Sequence, residues 1–347
     1  MKRLLLILIF LNCANSKTQG QSFNIDDLIS MAYLPSEKIN RFMNKKGFVH
    51  VRANPDSNGI VARFTWKRSS NNDDKLIKRY IDLIKKGDTR YILFHTSILN
   101  DFRDGENRLI KDGFFYDDKV DISKESSVLF QKRNISIQAT DETGNDVPDY
   151  TFLLKQKEIP DINNIKYADD LLRFDSHEYL VSFFGEQSVK KDFYFFSKNE
   201  LKKCSVLFEN TNRQVVFVWG DQNNLNDLSY IIISNLMPTK AGITNSSLTG
   251  NNEWQTQNGI HTGMTIKELL KLNKMDFGIY GNQSELAFMV KPGQNDGIDF
   301  NKTAVMLSCD NCNDNKIFDQ PLVSAIEVVK KNLPMRVFDI VIYSAPH

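Results

Sequence analysis

The alternation of apolar and polar residues predicts a similar order of elements twice in the N-terminal part of the chain. Apolar residues recur at helical spacing over residues 26–45 and again over 98–111, which predicts two amphipathic helices. Pro35 lies inside the first helix, and a proline removes a backbone donor and clashes with the preceding turn, so we expect a break or kink near Leu34. Strand-like stretches follow the helices at residues 48–53, 60–67, 114–119 and 126–132.

An internal echo organises this region. The segment MNKKGF at 43–48 returns as LIKDGF at 109–114, and at the same offset Phe64 falls on Phe130. Each copy has the pattern of a helix that ends in basic residues, a glycine that supplies the left-handed position after the helix, and an aromatic residue that opens a strand.

Each copy is then expected to close with a hairpin, at 75–96 and at 135–156. Residues 75–86 also fit a helical stripe, so periodicity favours a helix there, whereas the echo favours a strand, which is the interpretation we adopt. The result is a tandem repeat of two helix-plus-four-strand units, about 24–96 and 97–156, which form one antiparallel sheet with helices on one face. This layout, though no particular residue, is similar to the tandem repeats of beta-lactamase-inhibitor-like domains.

The second half predicts another α+β domain. Residues 157–166 are polar and serve as a linker, and residues 167–347 form the domain, with a short helix near 168–184 and a C-terminal helix at 320–332. The segment GIHTGMTIKEL at 259–269 resembles a Gly-x-x-x-Gly-Met-x-x-x-Glu-Leu pattern of uncharacterised bacterial envelope proteins, and that resemblance implies no activity. Within it, Thr265 and Glu268 have the spacing of a capping box.

The N-terminus has the pattern of an export signal. Met1-Lys2-Arg3 is basic, and the apolar run at 4–11 is too short to span a bilayer, which needs about 20 residues. Leu11-Asn12-Cys13 resembles the lipobox of bacterial lipoproteins, although Asn12 stands where a small residue is commonest. The resemblance implies a signal peptide at 1–12, lipid attachment at Cys13 and a flexible tether at 13–23. The alternative is ordinary cleavage after Ser16 or Gly20, which would give a secreted protein without lipid.

Composition excludes some classes of function. The length of 347 residues suggests two domains, and 41% hydrophobic residues are enough for packed cores. The 44 basic and 43 acidic residues nearly cancel, so the chain lacks the broad positive field that attracts nucleic acid.

The cysteines leave three alternatives open. Cys309 and Cys312 form a Cys-x-x-Cys pair, which suits a redox pair, part of a zinc site or a local disulfide. A redox pair needs a helix to begin at the first cysteine, and zinc needs about four ligands, so the local disulfide is the preferred interpretation.

No catalytic motif is recognisable, and the sequence assigns no catalytic, cofactor-binding or metal-binding residue. His50 and His95 fall in strand-like stretches, where histidines are more often structural. Trp254 lies in a polar loop at 238–258, so we expect it to be exposed and available to a partner.

The sequence therefore predicts a non-enzymatic binding module of the bacterial cell envelope. The lipid would hold it at a membrane, facing the periplasm or at the outer membrane, and its partner would be a protein or another ligand. One alternative is an exported hydrolase with a site assembled from scattered residues, such as His177 with Asp175 and Glu178. Another alternative is a periplasmic inhibitor or immunity-type binder.

Overall fold

The fold is α+β with antiparallel sheets, as the sequence predicts. The computed structural model describes residues 23–51, 60–66, 79–86, 89–117, 126–132, 135–142, 149–156, 165–197, 200–235, 251–293, 297–309, 312 and 316–344. Cys13, the predicted signal peptide and most of the predicted linker lie outside these ranges. Residue contacts divide the chain into two compact units, up to Glu158 and from Ile159 onward.

Within the described ranges, the first unit consists of a seven-stranded sheet and three helices. The helices are α1 (Ile25–Ala32), α2 (Ser36–Lys45) and α3 (Leu99–Lys111). The strands are β1 (Phe48–Val51), β2 (Ile60–Trp66), β3 (Arg79–Lys86), β4 (Thr89–Thr96), β5 (Ser127–Lys132), β6 (Ile135–Glu142) and β7 (Asp149–Gln156). Their order in the sheet is β1-β2-β3-β4-β7-β6-β5, and every pair is antiparallel.

Local chemistry explains where the first helices begin and end. At the start of α1, the Asn24 side chain accepts a hydrogen bond from the Asp27 amide at 3.0 Å, and the Asp27 carboxylate accepts one from the Asn24 amide at 3.1 Å. Pro35 stands at the N-cap of α2 with extended backbone. The expected break near Leu34 is therefore confirmed, because proline cannot continue a preceding helix but can precede the next one.

The two predicted copies occupy comparable places in this unit. Gly47 and Gly113 follow α2 and α3 with φ of 83° and 81°, and Phe64 and Phe130 are both fully buried. Strands β4 and β7, which close the two copies, pair at the middle of the sheet. The predicted strand at 114–119 is reduced to a single bridge from Phe115 to Gln131, in the part of that stretch that the structure describes. These placements support the repeat, and β3 confirms the strand over residues 79–86.

The predicted tether extends one residue too far. Phe23 is 4% exposed, and its ring packs 5.4 Å from the ring of Phe48 and 4.9 Å from that of Phe94. Phe23 therefore belongs to the core of the first unit, since burying an aromatic ring outweighs the conformational entropy of a flexible tether.

The second unit contains a six-stranded and a two-stranded sheet. Its strands are β8 (Val189–Ser197), β9 (Glu200–Leu207), β10 (Val215–Asp221), β11 (Asn226–Ser234), β12 (Gly278–Tyr280), β13 (Thr303–Cys309), β14 (Leu322–Ser324) and β15 (Met335–Tyr343). The helices are α4 (His177–Phe184), α5 (Ile266–Asn273) and α6 (Ala325–Lys330), with 3-10 helices at Ala168–Arg173 and Lys316–Asp319. The sheet orders are β13-β15-β11-β10-β9-β8 and β12-β14.

Two predicted helices in this unit differ from the expected bounds. The stretch 168–184 is divided, because the Ser176 side chain accepts a hydrogen bond from the Tyr179 amide and so starts α4 afresh. The C-terminal helix starts at Ala325 because Ser324 caps it in the same way. The Thr265 and Glu268 capping box of α5 is confirmed.

The expected exposure of Trp254 is wrong. Its side chain is only 6% exposed and belongs to the core of the second unit, and the indole N–H donates to the Arg213 carbonyl at 2.9 Å. The neighbouring Asn252 is buried too, and its amide group donates to the Gln214 carbonyl at 2.8 Å. Local polar composition was misleading, because these hydrogen bonds allow a polar segment to pack inward.

Candidate binding face

One side of the seven-stranded sheet carries polar and aromatic side chains, and no helix of the described part of the chain packs on it. Along β4 and β7, Phe94 and Phe152 are buried with α3, since the Phe102 ring of α3 packs on Phe152. Successive residues of a strand point to opposite sides, so the residues between these point away from the helices. We call this side the polar face and define it by Arg63, Tyr80, Asp82, His95 and Asp149.

A buried carboxylate lies near the centre of the polar face. Asp82 is 2% exposed and receives two parallel hydrogen bonds from Arg63, from Nε at 2.6 Å and from Nη2 at 2.8 Å. The planar guanidinium matches the carboxylate geometry, which compensates the cost of removing this charge from water. The same guanidinium lies 4.9 Å from the centre of the Tyr80 ring, within cation–π range.

Tyr80 continues the stack toward β4. Its ring lies 3.9 Å from the imidazole of His95 with an angle of 18° between the planes. Burial raises the pKa of Tyr80 to about 12, and the nearby charges of Asp149 and Asp82 add to this effect. The phenol is therefore neutral at physiological pH and keeps its O–H as a donor.

His95 joins the stack to the second carboxylate. Its Nδ1 lies 3.2 and 3.3 Å from the two carboxylate oxygens of Asp149. Burial lowers the pKa of His95 below 6.5 and outweighs the opposite effect of Asp149. The imidazole is therefore neutral at pH 7. Because Nδ1 faces a carboxylate it carries the proton, which leaves Nε2 as a hydrogen-bond acceptor.

The result is a rigid row in which a guanidinium, a phenol and an imidazole are held between two carboxylates. Tyrosine and arginine dominate binding energy at protein interfaces, because they bury a large area and still make directed hydrogen bonds. Side chains that are already fixed lose little conformational entropy when a partner binds. This arrangement is suited to recognition by contact.

A cavity of about 400 Å³ lies elsewhere in the first unit, with Phe23, Phe94 and Phe152 among its lining residues. Two of the acidic side chains at its rim are paired with arginines of the same unit. Arg108 is 2.8 Å from Asp26, and the Arg79 Nε donates to Asp101 at 2.8 Å. The polar face is the stronger candidate because its charged groups are organised into one continuous stack.

The other predicted residues that the structure describes lie in the second unit. Cys309 and Cys312 are joined by a disulfide, which is the preferred sequence interpretation. His177 is 6% exposed, and its Nδ1 lies 2.9 Å from Ser205 Oγ, which also accepts from the Trp219 indole at 3.0 Å. This histidine is part of a buried polar network, and these contacts give it a structural role in the second unit.

Sequence reasoning identified only His95 among the five residues of the polar face. The other four lie on three further strands, β2, β3 and β7, and strand register alone brings them together. A weak signal was present in β3, where Tyr80 and Asp82 are two residues apart and so share one side of a strand otherwise rich in apolar residues.

Comparisons with models of known protein families, with curated proteins and with solved structures found no match. Within the described residues, no group of three or more histidine, cysteine, aspartate or glutamate side chains is arranged to hold a metal ion. Helices long and apolar enough to cross a membrane are likewise absent from the described part of the chain.

Proposed function

We propose that this protein is a lipid-anchored binding module of the bacterial cell envelope. A lipid on Cys13 would hold it at the membrane, and the polar face of the first unit would bind a partner protein. The observation that carries the binding proposal is the ordered row from Arg63 through Tyr80 and His95 to Asp149. An inhibitor or immunity-type binder would be one form of this function.

The chemistry of the polar face favours a protein as the partner. The Asp82 charge is already paired with Arg63, so a partner that covers Asp82 does not leave this charge without a counter-ion. The neutral phenol and imidazole offer a donor and an acceptor beside apolar ring surface. Protein interfaces commonly combine such aromatic and arginine anchors with a polar rim.

The anchor is tested by metabolic labelling with a radiolabelled fatty acid. The native chain is expected to take up the label and Cys13→Ala is expected to lose it, because lipid attachment needs that thiol. Cys204→Ala is the matched control, since it removes a cysteine that is buried in the second unit. Equal labelling of the native chain and Cys13→Ala would disprove the anchor and leave the binding face untouched.

The face is tested by site-specific photo-crosslinking in cells. A photoreactive amino acid would replace Leu129, which is 51% exposed on the same side of the sheet as the polar face, or Leu99, which is 46% exposed on α3. We expect one stoichiometric protein adduct from position 129 alone.

A second substitution ties that adduct to the stack. Tyr80→Leu keeps apolar volume but removes the ring between Arg63 and His95, so it is expected to abolish the adduct while near-UV circular dichroism is retained. Equal crosslinking from positions 129 and 99, or an adduct that Tyr80→Leu leaves unchanged, would contradict the proposed binding face.

A further inference from the structure

The hairpin of β8 and β9 in the second unit exposes large apolar side chains. Phe193, Phe195 and Leu201 are 53%, 55% and 49% exposed. Strand β8 is also the terminal strand of its sheet. Such side chains are usually buried, and a contiguous exposed group of them commonly marks an interaction surface.

These three side chains form one patch, which we call the apolar tip. Phe193 and Phe195 are two residues apart and share one side of β8, and Leu201 pairs directly with Phe195 across the hairpin. At the other end of the same side, Val189 and Leu207 pair with each other and are buried in the core. The hairpin therefore extends beyond the part of the sheet that is covered.

Positive charge is concentrated around the apolar tip. Residues 189–204 contain five lysines, at 190, 191, 198, 202 and 203, against only Asp192 and Glu200, whereas the whole chain has a net charge of +1. Lys191 and Lys203 are exposed on the same side as the tip, and Lys203 pairs with Phe193 in the register. Lys190 and Lys202 form ion pairs with Glu209 and Glu200. The basic character beside the apolar tip therefore rests on Lys191 and Lys203, which lie on the same side of the hairpin as the exposed rings.

We propose that this hairpin contacts the surface of an anionic lipid bilayer. The apolar tip would enter the boundary between headgroups and acyl chains, and the lysines beside it would lie at the level of the phosphates. Apolar side chains that insert at the interface, together with basic residues attracted to anionic lipids, are the two contributions that hold peripheral proteins on membranes.

The charge pattern favours a bilayer over a second copy of the chain. Two such hairpins that met at their apolar tips would bring lysines of both copies together, which opposes association. The proposal does not depend on lipid at Cys13, since the hairpin lies in a different unit of the chain.

The test uses a chain that starts at residue 14, so that neither the apolar N-terminal run nor Cys13 contributes to binding. Its sedimentation with vesicles of equal parts phosphatidylglycerol and phosphatidylcholine is compared with its sedimentation with pure phosphatidylcholine. We expect binding to the anionic vesicles, with a several-fold loss when salt is raised well above about 0.15 M, because salt screens the lysines.

Substitutions distinguish binding through the apolar tip from non-specific hydrophobic adsorption to vesicles. Phe193→Ser with Phe195→Ser is expected to weaken anionic vesicle binding at least tenfold. The matched control is Val49→Ser with Val51→Ser, which changes two side chains that are 55% and 44% exposed in the first unit and is expected to leave binding unchanged. Lys191→Gln with Lys203→Gln is expected to weaken binding and to reduce its salt dependence.

A fluorescent reporter checks insertion independently. Phe195→Trp is expected to add a fluorescence component that shifts to the blue on anionic vesicles and is quenched by brominated lipid, and Val49→Trp is expected to add one that does neither. Equal loss in the tip and control variants would overturn the proposal. Absence of binding to the anionic vesicles would overturn it as well. Self-association, or binding of single-stranded nucleic acid, that the tip substitutions abolish would then identify a different occupant of the apolar tip. Loss of fatty-acid labelling at Cys13 would not bear on these results.

Discussion

The charge of His95 is decided by its surroundings, and this gives the polar face a dependence on pH. Burial lowers the pKa of His95 below 6.5 in the native state, whereas the unfolded chain protonates near 6.5. As the pH falls below 6.5, the unfolded state takes up a proton that the native state resists, so the free energy of unfolding decreases. This destabilisation by His95 is absent above pH 6.5 and is complete at pH values below the native pKa of His95.

We expect His95→Gln to remove this acid sensitivity. Urea unfolding at about pH 7.5 and about pH 5 should show a smaller loss of stability in the variant than in the native chain. The native imidazole, followed by NMR, should titrate below 6.5. Asp149→Asn should lower that pKa further, because it removes the carboxylate that favours the charged form. A native His95 that titrates above 6.5 would contradict this account.

Asp339 on β15 shows the opposite case, a carboxyl group whose ionisation is opposed by burial. Burial raises the pKa of Asp339 from 3.8 to about 6, despite a hydrogen bond from Ser234 that favours the charged form. Between pH 3.8 and about 6 the native state holds a proton that the unfolded state has lost. Stability therefore falls as the pH rises through this range, and the cost is fully present at pH 7.

We expect Asp339→Asn to stabilise the protein at neutral pH by no more than about 3 kcal/mol, because it copies the neutral form. The gain should disappear below pH 3.8, where Asp339 is protonated in both the folded and the unfolded state of the unsubstituted protein. Urea unfolding at neutral and acidic pH measures the difference. A variant that is equally destabilised at both pH values would show that the carboxylate charge does not cause the loss of stability at neutral pH.

The residues of the candidate site were only partly accessible from the sequence. His95 could be placed on a strand from the sequence. Its role in the polar face, however, depends on contacts with Tyr80 and Asp149, which only strand pairing brings close to it. Trp254 shows the opposite error, since its polar neighbours suggested exposure. Its ring instead packs in the core of the second unit, where the Arg213 carbonyl accepts a hydrogen bond from the indole N–H. Burial is a property of tertiary packing, and local composition does not determine it.

At the scale of elements, the equivalence of the two repeat copies can be tested at the C-terminal ends of α2 and α3. Gly47 and Gly113 follow α2 and α3 with φ near 80°. A side chain in this left-handed conformation costs about 1 kcal/mol. A Cβ at Gly113 would have no neighbour within 4 Å, so only the backbone conformation is at stake there.

We expect Gly47→Ala and Gly113→Ala to lower the free energy of unfolding by similar amounts, about 1 kcal/mol each. Lys111→Ala, in the last turn of α3, is the control and should have little effect, since it is exposed and helical. Chemical denaturation at one pH compares the three. A loss at only one glycine would mean that the two helix ends are not equivalent.

Elements were predicted correctly where a second signal, such as a proline or the internal repeat, supplemented the spacing of apolar residues. Pro35 marked the break between α1 and α2, and the echo chose a strand for β3 where periodicity alone suggested a helix. Strand β8 was missed, because residues 193–196 are four consecutive aromatics and show no alternation. Its Tyr194 packs against a buried cluster on one side while Phe193 is exposed on the other, so apolar residues point both ways.

At the scale of the whole molecule, each unit has the means to fold by itself. Among the described residues, the buried apolar side chains of the first unit form a cluster from Phe23 to Leu154. Those of the second unit form one cluster from Ala168 to Ile342 and a smaller one from Cys204 to Ile232. Domains of this size with their own core usually fold independently.

We therefore expect residues 14–158 and 159–347, expressed separately, each to unfold cooperatively and to retain near-UV circular dichroism. The control is a cut inside the first sheet. Residues 14–96 end with β4 and lack β7, which pairs with β4 along seven residue pairs at the middle of the sheet. That fragment would expose Phe94 and leave the β4 edge without its partner, so it should not unfold cooperatively. A folded 14–96 fragment would mean that each copy of the repeat is a domain, and an unfolded 159–347 fragment would mean that the second core needs the first.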